Sequence, residues 1–414
     1  MGSSRGARSH LAVIPLALVL LLPGIAWGAD AVRLAFMGPL TGLMAPTGKE
    51  MQEGFQFFYE QAGHQCGRRK VELVLEDSEG NPNVALTKLR KLIDRDHVRA
   101  LAGIQWANIG YAIAPVVDKE RLPVLLLTTP DDLTKRRPAK FITRVSAPAS
   151  QVTHPLGDYA RKVLGYRRAA TVAADIAFGH ESAAGFQRAF EDAGGEVVQK
   201  LWVPVTALDF AAYLAQIRRD VDVVFSTFAG APAIRFVKQY AEYGLKEKLP
   251  LISTGYQMDE AILRSLGDEA VGIVNSLYWT PTLETPVNQA FVQSFVAKFD
   301  KTPSVYHLSL WGGARWICEA LKTTEGKSDE PEQLLAAIRQ ASQTLEDPRG
   351  PIKLDEYGNP TQNVHILRVE KRDGKLQNRV IHTYPMVSQF WTYRPADFLK
   401  QPPYSRDYPP VRGQ

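Results

Sequence analysis

Three short stretches of the chain carry residue types that do chemistry, and spacing decides what each can do. Gly42 to Lys49 follows an apolar run, as a phosphate-cradling loop does. Five residues instead of four separate Gly42 from Gly48, and Glu50 stands where a Ser or Thr would have to meet magnesium, so that reading fails. His64 and Cys66 are too few ligands for a zinc site. Gly179-His180-Glu181-Ser182 has the wrong spacing for a nucleophile elbow. His154 and His180 with Glu181 are candidates for an acid/base pair, against which a surface or capping role is the stronger reading. No catalytic constellation emerges, which counts against an enzyme, and no metal or cofactor is expected. Cys66 and Cys318 are the only two cysteines. Residue type leaves open whether they pair or stay as two buried thiols.

The chain that must position such residues has 414 of them, 45% hydrophobic, enough for two or three packed domains. Its 49 Lys and Arg against 44 Asp and Glu give +5, spread without a basic block, so nucleic-acid binding is not indicated. At the N-terminus Arg5, Arg8 and His10 precede an apolar run, Leu11 to Leu22, followed by Ala26 and Gly28 at cleavage-site spacing. That combination describes a secretory signal peptide over residues 1–28, with no cysteine for a lipid anchor. No later stretch is long and apolar enough to span a membrane, so the mature chain is expected to be soluble and without a membrane span.

From Ala31 onward, short apolar runs alternate with amphipathic stretches. Strands are expected at Val32–Met37, Val71–Leu75, Ala100–Ile104, Pro123–Leu127, Ala169–Ala174, Val197–Val203, Val221–Phe225, Leu249–Ile252 and Gly272–Leu277. Helices are expected between them, with Gly194-Gly195 and Gly244 at helix ends. Runs apolar on both faces suit parallel sheets covered by helices. Three consecutive helical patterns follow, Val287–Phe299, Val305–Leu321 and Pro331–Gln340, then a hairpin, Val364–Glu370 with Leu376–Thr383. A proline-rich tail closes the chain and is expected to be extended on the surface or partly disordered.

Several pieces have a familiar order: Gly38-Pro39-Leu40-Thr41-Gly42 with Gly48, Leu122-Pro123-Val124, Ala177-Phe178-Gly179, Asp209-Phe210, Asp222 to Phe225, and Gly350-Pro351-Ile352. On these residues the chain resembles the type I periplasmic substrate-binding proteins of ABC transporters, of the branched-chain amino-acid-binding kind, over about Ala31 to Thr383. The resemblance implies an α/β, two-lobed periplasmic binding protein type I fold, each lobe a parallel sheet flanked by helices, with a three-segment hinge. Lobe 1 would comprise 30–147 and 280–345, and lobe 2 148–279 and 346–390, leaving 391–414 as an extended tail. Both cysteines then fall in lobe 1, and related domains pair cysteines in similar places, so the resemblance implies a Cys66–Cys318 disulfide.

It also implies ligand-binding residues. Ala107 stands where the family offers a Ser hydroxyl, with Trp106 and Asn108 as substitutes, and Thr128 and Thr129 occupy the second carboxylate-binding segment. Asp131 or Asp132 nearby is expected as a helix cap. Phe178 matches the aromatic of the first lobe-2 loop. Gly255 stands where the family has the Glu that pairs with a ligand ammonium, and Asp259 is expected to start a helix instead. An unpaired buried ammonium is costly, so the ligand is expected to be a small organic acid. The aromatic residues Trp106, Phe178, Phe228, Tyr256, Tyr278 and Trp279 make it an aromatic or otherwise apolar one. The expected partners are that small molecule and the membrane permease of an ABC transporter, with the chain a periplasmic monomer. The alternatives are an amino-acid-binding protein of the same fold, or a ligand sensor serving a signalling partner.

Overall fold

The computed structural model describes residues 1–2, 31–324 and 330–411, so positions 3–28 of the expected signal peptide lie outside the described residues. In chain order the first part runs β1 (Val32–Gly38), α1 (Ala45–Gln61), β2 (Gln65–Cys66), β3 (Arg69–Asp77), α2 (Pro82–Asp94), β4 (Ala100–Gly103), α3 (Ala107–Lys119), β5 (Val124–Leu126) and β6 (Ile142–Arg144). The second part runs α4 (Ala149–Lys162), β7 (Arg168–Ala174), α5 (Ala177–Asp192), β8 (Glu196–Val203), α6 (Ala211–Gln216), β9 (Val223–Thr227), α7 (Ala231–Glu242), β10 (Leu251–Thr254), α8 (Glu260–Leu263) and β11 (Val274–Leu277). Then come α9 (Pro286–Phe299), α10 (Val305–Thr323), α11 (Pro331–Thr344), β12 (Ile352–Leu354), β13 (Pro360–Arg372), β14 (Lys375–Val387) and α12 (Pro395–Leu399). Among the described residues no helix is long and apolar enough to cross a membrane.

Two sheets result, one per lobe. The first has the order β2-β3-β1-β4-β5-β6 and is parallel except for the β2–β3 pair. The second has the order β12-β13-β11-β10-β9-β7-β8, parallel from β11 to β8, with β14 also paired to β13. In each, the chain first moves one way along the sheet and then reverses, at β1/β4 and at β7/β9. Those reversals open crevices at the carboxyl ends of the strands. A glycine makes the first one possible: a Cβ on Gly48, in the first turn of α1, would lie 1.9 Å from the Pro39 carbonyl oxygen. The helix and the turn after β1 are thereby in backbone contact.

The first core sits between its sheet and α1, α9 and α10, where Phe36, Phe55, Tyr59, Phe295 and Trp316 are buried. Burying each such side chain stabilises by about 1.5–3 kcal/mol. Local signals place the helices. Asn81 caps α2 by accepting from the amide of Asn83 at 2.8 Å, with Pro82 in the first turn. Ser304 and His307 form a reciprocal cap at the start of α10. Neither Asp131 nor Asp132 caps the short helical turn they begin, Asp131–Thr134, but Asp131 Oδ1 accepts from the Ser150 amide in the first turn of α4 at 3.2 Å. Asp131 also binds Lys135 Nζ at 2.6 Å, and Asp132 pairs with Arg136 at 2.8 Å.

The chain passes between the sheets three times: after β6, after β11 and before β12. Arg349 ties these passages together. It donates to the Val145 carbonyl at 2.7 Å and to Asp347 at 2.8 Å, and lies over the Tyr278 ring at 5.7 Å. Gln362 adds a bond to the Ser146 carbonyl at 2.9 Å. The Cys66–Cys318 disulfide is formed, with the Cα atoms 5.2 Å apart, joining the end of β2 to α10. The tail departs from expectation. Its described part includes α12, and Phe398 and Tyr404 are buried against Phe390.

Candidate ligand-binding site

Between the lobes lies a cavity of about 370 Å³, walled by loops from the carboxyl ends of strands in both sheets. The first lobe contributes Leu43 and Met44 after β1, Gln105 to Asn108 and Tyr111 from the β4–α3 junction, Leu127 to Thr129 after β5, and Tyr306 of α10. The second contributes Ala174 and Ile176 to Phe178 after β7, Val205 after β8, Phe228, Ala229 and Pro232 after β9, and Tyr256 after β10. The lobes touch around it. A Cβ on Gly230 would lie 3.2 Å from Met44 Sδ, and Arg264 on the second lobe pairs with Glu50 on the first.

None of the lining side chains is acidic, basic or a histidine. Polar character comes from the hydroxyls of Thr128, Thr129, Tyr111, Tyr256 and Tyr306, the Gln105 and Asn108 amides, and the first-turn N–H groups of α3 and α5. Neither N-cap residue caps its helix with a side chain, but the Ile109 amide donates to Asn108 Oδ1 at 2.9 Å, so the amides left for a ligand are those of Ala107 and Asn108 in α3 and Ala177 to Gly179 in α5. Thr47 holds Gln105 by a 2.8 Å bond from Nε2. Arg144, fully buried, backs the threonine wall. Its guanidinium donates to the Thr128 carbonyl, to Pro130 O at 2.9 Å and to Thr134 Oγ1 at 3.1 Å, while Nε meets Asn359 Oδ1 at 3.0 Å. Burial pulls its pKa down, and the Asp131 carboxylate opposes that. The arrangement gives an anion several neutral donors and apolar walls, and gives a cation no carboxylate partner.

Of the expected site residues, Trp106, Ala107, Asn108, Thr128, Thr129, Phe178, Phe228 and Tyr256 line the cavity together. Phe178 meets Tyr256 edge to face at 5.9 Å. Trp279 does not join them. It is buried in the passage after β11, donating from Nε1 to Asn288 at 2.7 Å and packing on Phe291. Tyr278 likewise turns away, to Ser309 at 2.8 Å. Gly255 also faces elsewhere: a Cβ there would lie 2.5 Å from the Leu277 Cβ, so Tyr256 is the residue of that loop that forms the wall. Asp259 caps α8 and accepts from the Val305 amide at 2.8 Å, pointing at the start of α10. The suggested acid/base set is dispersed, with His180 on Asp175 at 2.8 Å and His154 on Tyr404 at 2.9 Å. Glu181 accepts from the Asp131 amide at 3.0 Å, and burial followed by the Asp131 charge pushes its carboxyl well above the usual range.

The sequence reading missed Met44, Gln105, Tyr111, Ile176, Val205, Pro232 and Tyr306. Gln105 adjoins Trp106, and Ile176 lies two residues before Phe178. Tyr306 carried no local signal, since it reaches the cavity from a late helix. Trp106→Ala is expected to raise the ligand Kd at least about tenfold while the far-ultraviolet dichroism stays native, because the side chain is only half-buried. An unchanged Kd in a calorimetric titration would remove Trp106 from the contact set.

Comparison with known proteins agrees with this geometry. A family model described as periplasmic binding protein matches residues 31–375. The Leu/Ile/Val-binding protein homolog 6 of Brucella melitensis is 26% identical over 384 residues, covering 90% of this chain and 96% of that protein. Among solved structures, an ABC transporter substrate-binding protein from Sphaerobacter thermophilus superposes with a TM-score of 0.82 at 34% identity, covering 87% of this chain and 99% of the other. A solute-binding protein of an ABC transporter from Rhodopseudomonas palustris BisB5, in complex with 3,4-dihydroxybenzoic acid, gives 0.81 at 30% identity, with 87% and 99% covered. The chain belongs to the periplasmic binding protein family, with the type I fold.

Proposed function

We propose that this protein is the periplasmic solute-binding component of an ABC importer, and that its ligand is a small aromatic carboxylate. The observation that carries the ligand class is the uncharged cavity wall. A carboxylate can be met by helix-start amides and by Thr128 and Thr129, with a ring between Trp106, Phe178 and Tyr256. A zwitterionic amino acid would leave its ammonium buried beside hydroxyls alone, at a cost of several kcal/mol. The relative that holds dihydroxybenzoic acid supports the same class. The chain acts by binding and not by catalysis, reaches the periplasm through cleavage of residues 1–28, and works as a monomer that delivers its ligand to a permease. The lobes comprise 30–147 with 280–345 and 148–279 with 346–390.

The test is a thermal-shift screen against benzoate, hydroxybenzoates, cinnamate, leucine and valine. At a concentration a hundred times Kd, a ligand that binds only the folded state adds about 2.7 kcal/mol. A rise in Tm with the aromatic acids and none with leucine or valine is expected. A clear shift with leucine would overturn the ligand class and leave the amino-acid-binding reading.

A further inference from the structure

The family match ends at residue 375, yet the chain continues past the last sheet strand and returns to both lobes. On the first lobe, Gln389 Nε2 donates to the Thr134 carbonyl at 2.8 Å. Arg136 donates to the carbonyls of Phe398 at 3.0 Å and Gln401 at 2.8 Å, closing the end of α12. The Lys135 ammonium is fully buried, 4.8 Å from the Phe398 ring centre and 6.0 Å from those of Phe390 and Tyr404, with Asp131 and Ser150 as its polar partners. This segment therefore completes the shell around a buried cation.

On the second lobe the same residues bind α4, α5 and the end of β7. Tyr404 meets His154 Nε2 at 2.9 Å, and Tyr393 donates to Asp192 at 2.6 Å while its ring lies 4.6 Å from the Arg188 guanidinium. Arg406 pairs with Asp175 at 2.8 Å. Asp175 lies between Ala174 and Ile176, both in the cavity wall. The segment thus runs from the turn at Thr134–Arg136 to the rim of the ligand site.

We propose that residues 388–411 form a strap that holds the two lobes in their closed arrangement before ligand arrives. Rigid lobes that open about the three passages must displace Thr134–Arg136 relative to α5. A segment anchored on both sides then gives up one set of bonds. Its contacts belong to the closed state and raise that state's population, and the apparent affinity rises with the competent fraction.

The test needs no ligand. A chain ending at Val387, the last residue of β14, is compared with the full mature chain by small-angle scattering and by amide hydrogen exchange at Val305. That amide bonds Asp259 across the cleft and shares no partner with the strap. The truncated chain is expected to show a larger radius of gyration and at least about tenfold faster exchange at Val305, with β1 amides still protected. Unchanged radius and unchanged Val305 exchange, with at most a lower Tm, would overturn the proposal and leave the segment as surface packing. If β1 protection is lost as well, the triple variant Tyr393→Phe, Tyr404→Phe, Arg406→Ala, which keeps the chain length and the cage aromatics while removing the three side-chain bonds to the second lobe given above, decides by the same two readouts.

Discussion

Replacing Arg144 with methionine is expected to lower folding stability by about 3–5 kcal/mol and to weaken ligand binding at the same time. The guanidinium is 0% exposed and serves acceptors on three separated segments: Thr128 with Pro130, Thr134, and Asn359 near the start of β13. Methionine fills much of the volume but leaves those buried oxygens without a donor, and each orphan costs about 1–3 kcal/mol. Binding suffers because the wall formed by Thr128 and Thr129 loses the fork that holds its carbonyl. Arg144→Lys keeps the charge but cannot span the same acceptors, so an intermediate loss is expected. Urea denaturation of the three proteins checks the series. A loss below about 1 kcal/mol for Arg144→Met would mean that the fork does not organise this wall.

The second large effect belongs to the disulfide. Cys66 and Cys318 are 252 residues apart in sequence, and a loop of that length restrains the unfolded chain by roughly 5 kcal/mol on the loop-entropy model. Reduction, or the pair Cys66→Ser and Cys318→Ser, is expected to lower stability by about 2–5 kcal/mol, since measured losses usually fall short of that model. The bond joins the end of β2 to α10, the helix that also brings Tyr306 to the cavity. Non-reducing mass spectrometry of the native protein is expected to find no free thiol. Two labelled cysteines would end the claim.

Most sheet strands were legible because parallel strands covered by helices are apolar on both faces, and this marks Ala100–Gly103 or Val223–Thr227 without reference to anything distant. β6, Ile142–Arg144, was not legible. It is three residues long, and its Thr143 and Arg144 are buried by partners that local sequence does not announce. The tail misled for a related reason. Prolines and charges read as a solvated end, whereas Phe398 and Tyr404 find Lys135 and His154 only once the chain has folded.

The site divides along the same line. Trp106 to Asn108, Thr128, Thr129 and Phe178 were expected from the family resemblance, and they lie in turns at strand ends, where ligand contacts belong. Trp279 did not belong, although its type and place suited a pocket, because α9 packs back over it and its indole N–H finds Asn288. Gly255 seemed the place of a lost carboxylate, yet a side chain there would meet Leu277 and not the ligand. The sequence by itself determined the alternation of strands and helices, since periodicity and turn chemistry act over a few residues, and its resemblance to a known family implied the two lobes and the loops that face the cleft. Only the tertiary structure decided which aromatic rings face the cavity, that no charge lines it, and that the last residues bind both lobes. Those outcomes rest on contacts between segments 100 or more residues apart, such as Arg144 with Asn359 and His154 with Tyr404, whose partners are set by packing alone.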